Sequence, residues 1–302
     1  MALSIYIIKK YIKVMLGRND MTVNQDEGKC YSVESVEGYY NNLTEKISKF
    51  GRLDNSVPIS EPAPGVKIEF SIAIFQYGLA AYDLFLMSKE KRYLEILKTC
   101  ADWALAHQNS EGGWPTFTYK RSDQLYSAMA QGEGISMLIR AHKVFNEEEY
   151  SFAVHKAKIF MMRSMKDGGT AEYNKDNIYL YEYLNAPLVL NGWIFAAWGL
   201  FDYAKYYNNQ QTFSEWNKTV KSIAEKLPEY DCGYWSMYDN GGGMANPFYH
   251  KLHITLLRTM YEITGMEEFN IYHKKFKRYQ SRMINRIRSF AFKIWQKITE
   301  KD

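Results

Sequence analysis

Four stretches of the chain follow one design: an apolar helix, a polar break, a second helix, then a loop with glycines and an aromatic residue. The first runs from Ser71 (SIAIFQYGLAAYDLFLMSKEKRYLEILKTCADWALAHQNSEGGW), the second from Tyr126 (YSAMAQGEGIS…KDGG), the third from Pro187 (PLVLNGWIFAAW…CGYW), and a fourth begins at His250 (HKLHITLLRT). A glycine stands early in the leading helix of the first three, at Gly78, Gly132 and Gly192, in steps of 54 and 60 positions. A repeat of about this length built from two helices predicts an array of helical hairpins. Each leading helix, such as 71–86, is apolar nearly all round and should be buried, while each second helix, such as 91–107, is amphipathic and should lie outside. Alternating inner and outer helices give an all-α fold, an α/α barrel or toroid, with the glycine-aromatic loops gathered at one rim, where binding groups usually sit. The expected organisation is an N-terminal amphipathic helix and irregular lead-in at 1–57, which wraps or rims the barrel, the barrel at 58–272, and a basic amphipathic helix at 273–302.

The totals narrow the function. Aromatics make up 16% of 302 residues, with 25 Tyr and 7 Trp; such side chains suit half-wet clefts as well as cores. Three cysteines with no close spacing (Cys30, Cys100, Cys232) argue against a disulfide framework. The scattered histidines form no metal motif, although His250 and His253 could share a helix face, so no metal and no cofactor are expected. Residues 274–302 hold ten Lys/Arg against Glu300 and Asp302, a local charge of +8 in a chain of +4. The basic character is therefore an appendage, and no nucleic-acid-binding module accompanies it. Near that end Ile284, Ile287, Phe290, Ala291, Ile294, Trp295 and Ile298 recur at three-to-four spacing, as Ile5, Ile8, Ile12 and Met15 do near the start. Each end helix could dock on the body, the reading favoured here, or lie on an anionic membrane surface. The first is too short to span a bilayer and too early interrupted by lysine for a secretory leader, so a cytoplasmic protein, optionally peripheral to the membrane, is expected. A homodimer is a further option.

The loop segments are NSEGGWPTF (109–117), CGYWSMYDNGGG (232–243), NPFYHKLHI (246–254) and IYLYEYLNAPLVLNGW (178–193), in which Glu182 sits among Tyr179, Tyr181 and Tyr183. Together with FQYGL, YSAMAQGEGIS, GLFDY and LPEYDCG they form an ordered set over about 58–272. On that set the chain resembles the C-terminal catalytic domain of the D-glucuronyl C5-epimerases, which convert D-glucuronic to L-iduronic acid within heparan-type polysaccharides. The resemblance implies an α/α barrel and an acidic polysaccharide substrate such as heparosan. The chain departs from the family at 240–243: where YDL-R is common, it reads YDNGGG and the arginine has no counterpart.

Epimerisation at C5 removes a proton beside a carboxylate and returns one to the opposite face, which calls for a base, an acid, and donors to hold the carboxylate. By the resemblance, Glu182, Tyr183, Tyr238 and Tyr249 are the catalytic candidates, with Glu182 and Tyr249 as the opposed pair and the other two tyrosines positioning or relaying. Arg140 could neutralise the uronate; His250, Trp114, Trp235, Gln131 and Asn191 are candidates for binding sugar. For most of these a core role competes: Arg140 as a helix-end residue, Trp114 as turn packing, Asn191 as a buried loop cap. A polyuronate lyase shares the first proton abstraction, a glycoside hydrolase would need two facing carboxylates such as Glu182 and Asp239 or Glu111, and a non-catalytic polysaccharide-binding module would need neither.

Overall fold

The computed structural model describes residues 24–50, 56–63, 65–119 and 125–299. The expected N-terminal amphipathic helix lies outside these residues. The chain divides into two compact units, Gln25–Ile223 and Met1–Asn24 with Ala224–Asp302.

The larger unit is built on three helical hairpins. After a short α1 (Glu45–Phe50), the pairs are α2 (Ser71–Ser88) with α3 (Arg92–His107), α4 (Ala128–Phe145) with α5 (Glu148–Met162), and α6 (Leu190–Tyr206) with α7 (Gln210–Lys226). The leading helices are buried on every side: each residue of Ala128–Ala141 and of Leu190–Ala204 is inside. α2 is the one described helix long and apolar enough to cross a membrane, but its residues from Ser71 to Asp83 are core, all save Ala73 being buried. The second helices bury one stripe, as α3 does with Tyr93, Ile96, Leu97, Cys100, Ala101 and Ala104. This is the all-α class that the repeat implies, with apolar inner and amphipathic outer helices.

The repeating glycines mark where helices touch. A methyl group on Gly132 would lie 2.6 Å from the Ala196 Cα, and one on Gly199 would lie 2.4 Å from the Gly132 Cα, so α4 and α6 cross backbone to backbone. One on Gly78 would meet the Met137 sulfur at 2.5 Å, where α2 meets α4. A side chain at Gly132 or Gly199 would force α4 and α6 apart.

The lead-in does not merely wrap the helices. A short pair, β1 (Asp26–Glu27) with β2 (Asn41–Asn42), delivers Tyr39, Tyr40 and Leu43 into the core, each at most 1% exposed. Tyr40 donates to Asp202 Oδ1 at 2.7 Å, and the Tyr39 N–H donates to Asp83 Oδ1 at 2.8 Å. Both rings pack on Trp198 of α6. Two hairpins complete the unit: β3 (Ile59–Ala63) with β4 (Val66–Glu69), and β5 (Ala171–Asn174) with β6 (Asn177–Leu180).

The smaller unit carries the loop 231–246 and a fourth hairpin, α8 (Pro247–Thr264) with α9 (Glu267–Ser281), followed by α10 (Met283–Thr299). α8 starts where its sequence dictates: the Asn246 side chain accepts the Tyr249 N–H at 3.0 Å and Pro247 opens the first turn. It stops at Gly265, in the left-handed region at φ 68°. The boundary expected at 272–273 falls inside α9, which runs through it unbroken.

Candidate active site

In the larger unit the segment after β6 is pinned at Tyr181. Its N–H donates to the Thr170 carbonyl at 3.1 Å, and its carbonyl accepts the Ala128 N–H at the start of α4, at 2.8 Å. The next residue, Glu182, is 5% exposed and rests on the first turn of α6. There Gly192 makes the room: a Cβ on it would lie 2.3 Å from Glu182 Oε2 and 2.7 Å from Glu182 Cβ. A carboxylate in the tyrosine cluster is thus accommodated by a glycine ten residues on.

The neighbouring tyrosines separate by partner. Tyr179 is buried against Trp193, and Tyr181 donates to Glu172 Oε2 at 2.6 Å. Burial, then that carboxylate, holds the Tyr181 phenol well above its ordinary value, so it stays protonated. Tyr183 is half-buried and stacks on Phe117, ring centres 4.6 Å apart. Tyr119, beyond the loop motif recognised in sequence, edges the same Phe117 ring. Its phenol is pushed up by burial and by the charge of Glu182. It is a further tyrosine, from another loop and linked to Glu182 through charge, that the motifs did not reveal.

Beneath lies a second acid. Glu133 of α4 is fully buried and accepts from Gln76 Nε2 at 2.7 Å. Burial pushes it up to about 8, with Gln76 and Lys46 opposing and Glu182 adding to the shift. At neutral pH Glu133 is therefore mostly a neutral acid within the field of Glu182.

In the smaller unit the loop YDNGGG folds on Asp239, whose Oδ1 accepts the N–H groups of Gly241 and Gly243 at 2.9 and 3.0 Å. Gly243 returns its carbonyl to the Tyr238 N–H at 2.6 Å. The loop thereby presents Tyr238 to Tyr249 in the first turn of α8, ring centres 4.8 Å apart at 60°. Both rings are half-buried.

The expected sugar-binding residues are core. Arg140 is fully buried and spends its donors on the carbonyls of Glu37, Gly38 and Ser136 and on Asp202 Oδ2, the last at 2.6 Å. It ties the lead-in to the helices and, fully buried, does not reach a surface where a uronate could meet it. Trp114 is fully buried and donates to the Ala104 carbonyl, while Gln131 brackets the Trp114 backbone through both ends of its amide. Trp235, 1% exposed, donates to the Ala245 carbonyl and stacks on His250 at 3.6 Å. His250 is fully buried, accepting the Ser236 N–H at Nδ1 and donating from Nε2 to the Phe276 carbonyl. The Ser236 hydroxyl lies between His250 Nδ1 and His253 Nδ1, at 2.8 and 3.0 Å. Burial drives both imidazoles down to about 3. Asn191, 3% exposed, occupies the α6 turn beside Gly192. Arg140, Trp114, Gln131, Trp235 and His250 bond to neighbouring parts of the protein, and Asn191 is buried in its helix turn, so none of them faces solvent.

The family profile described as D-glucuronyl C5-epimerase C-terminus matches residues 107–278, which contain all four catalytic candidates. The chain belongs to this family. A D-glucuronyl C5-epimerase of Caenorhabditis elegans is 31% identical over 222 residues, covering 63% of this chain and 35% of the relative. An uncharacterized protein of Methanocaldococcus jannaschii is 30% identical over 169 residues, covering 53% and 54%. The chain thus spans between about a third and about a half of the length of these curated relatives. Among solved structures, a glycoside hydrolase family 76 mannosidase of Bacteroides thetaiotaomicron superposes with a TM-score of 0.48 at 13% identity, covering 87% of this chain and 82% of that one.

Proposed function

We propose that this chain inverts C5 of D-glucuronate residues to L-iduronate within an acidic polysaccharide, by removing the C5 proton and returning one to the opposite face. The observation that carries the reading is the seat of Glu182. A carboxylate is held almost out of water against Gly192, next in sequence to a tyrosine that stacks on Phe117, and its charge reaches the Tyr119 phenol.

In this scheme Glu182 abstracts the C5 proton and the electron pair moves into the substrate carboxylate as an enediolate. The returning proton is assigned to a phenol, for which the family resemblance gives Tyr249 as the candidate. Tyr183 is the candidate for orienting Glu182, and Tyr238, ring to ring with Tyr249, for orienting that phenol. The proton inventory balances: one leaves C5, one arrives, and no bond of the glycosidic backbone breaks.

A hydrolase would need a second carboxylate facing Glu182. Asp239 caps its own loop, and Glu111 is ion-paired with Arg163. Heparosan incubated with the protein in deuterated water tests the proposal. NMR should show deuterium at C5 together with iduronate signals. Absorbance of an unsaturated uronate would assign a lyase instead, and saturable polysaccharide binding without exchange would leave a binding module.

A further inference from the structure

The C-terminal helix α10 is attached to its unit by the face opposite to its apolar one. Its buried positions are Asn285 and Ser289, 6% and 3% exposed. Gln296 donates to the Gly242 carbonyl at 2.7 Å and accepts the Met244 N–H at 3.2 Å, which fastens the helix to the loop that carries Tyr238. Arg288 lies 4.1 Å over the Tyr234 ring.

The apolar stripe faces outward. Met283, Ile284, Ile287 and Trp295 are 65%, 62%, 54% and 57% exposed. Ile284, Ile287, Ala291 and Trp295 follow one another at steps of three and four, a single line along the helix. Scattered exposed apolar residues are ordinary, whereas four in register along one helix are not. The sequence favoured docking of this stripe on the body; the polar anchors Asn285, Ser289 and Gln296 take that place.

Charge selects the occupant. Arg286, Arg288 and Lys293 lie on the same helix and Arg282 just before it, and no Asp or Glu occurs from Met283 to Thr299. A second copy of this face would bring like charges together, and a polyanion alone would leave the isoleucines and the tryptophan in water. An apolar line with a tryptophan, accompanied by cations, is the pattern of a helix lying in the plane of an anionic bilayer surface. We propose that α10 is a membrane-surface anchor that seats the protein on anionic lipid through Ile284, Ile287 and Trp295, with these arginines against headgroups.

Sedimentation of the full chain with vesicles decides this. With phosphatidylcholine vesicles containing phosphatidylserine as about a third of the lipid, the protein should co-sediment at low salt and be released at high salt, because screening weakens the headgroup contacts. Vesicles of phosphatidylcholine alone should retain far less. The double variant Ile287→Ser, Trp295→Ser should bind acidic vesicles at least about tenfold more weakly, with circular dichroism and melting unchanged because both sites are exposed. Arg282→Gln with Arg286→Gln should weaken binding by about fivefold per charge removed. Three results would each overturn the proposal: no sedimentation with acidic vesicles, equal binding by the double serine variant, or a dimer that this variant converts to monomer while vesicles stay unbound. Vesicle binding does not depend on epimerase activity, so failure of one leaves the other standing.

Discussion

The Glu182 carboxylate occupies the space that a side chain at residue 192 would take: a methyl group on Gly192 would lie 2.3 Å from Glu182 Oε2. Gly192→Ala should therefore displace Glu182 while leaving every candidate proton carrier chemically intact. A shift of about an ångström at a reacting group can cost roughly a hundredfold in rate, so kcat should fall by about that much. The overpacking itself should cost only about 1–3 kcal/mol of stability. Steady-state kinetics beside urea unfolding separates the two; a variant with normal kcat would show that the position of Glu182 is not critical.

Tyr238 and Tyr249 meet ring to ring, so phenylalanine at either site keeps the packing and removes only the hydroxyl. Tyr249→Phe should lower turnover by roughly 10²–10⁴, the usual yield of general acid-base catalysis. Tyr238→Phe should have a smaller effect, as suits an orienting group. Melting temperatures should hardly change in either. Equal, small effects on turnover would remove Tyr249 from the role of proton donor.

Arg140 and Asp202 form a fully buried pair at 2.6 Å. Arg140→Ala leaves Asp202 without its cation and the Glu37 and Gly38 carbonyls without their donors. Breaking a buried pair from one side typically costs about 3–5 kcal/mol, and denaturant unfolding should register a loss of that order. The fraction that remains folded should keep its KM. A raised KM with unchanged stability would restore the substrate-binding role expected from sequence.

Two buried groups set opposite pH trends. His250 and His253 take up protons near 6.5 when unfolded but only near 3 when folded. Their contribution is thus fully present above about pH 6.5 and falls by roughly 1.4 kcal/mol per pH unit per histidine as the medium is acidified. Glu133 behaves inversely: unfolded it ionises near 4.5, folded near 8. Its contribution is full below about 4.5 and declines as pH rises to about 8. Glu133→Gln keeps an acceptor for Gln76 and should remove the decline between about pH 4.5 and 8, while the loss due to the histidines below about pH 6.5 remains. An unchanged decline between about pH 4.5 and 8 would mean that Glu133 is ionised in the folded protein.

The helical architecture was legible because burial leaves a mark at helical period. A helix apolar on every side, as at Leu190–Ala204, can only be inside, and a glycine amid it, such as Gly132, signals close approach of another backbone. Glu182 stood out because a carboxylate is an unusual choice among tyrosines. Other features were hidden because sequence records residue type and not partner. Arg140, Trp114 and His250 are the same side chains whether they meet a sugar or a neighbouring carbonyl, and here internal carbonyls, Asp202 and Ser236 take them. The entry of Tyr39 and Tyr40 into the core depends on contacts more than a hundred positions away, with Asp202 and Trp198. No local pattern at 31–65 announces them. Tyr119 was missed because it lies just past the motif, and its link to Glu182 exists only in space.

Exchange at C5 in deuterated water, measured by NMR on heparosan with the wild-type chain and with Glu182→Gln, bears most directly on the central claim. The account predicts steady deuterium entry at C5 with the wild type, and with Glu182→Gln a rate lower by at least about a hundredfold at unchanged fold. Deuterium entering equally fast with both proteins, or with neither, would contradict it.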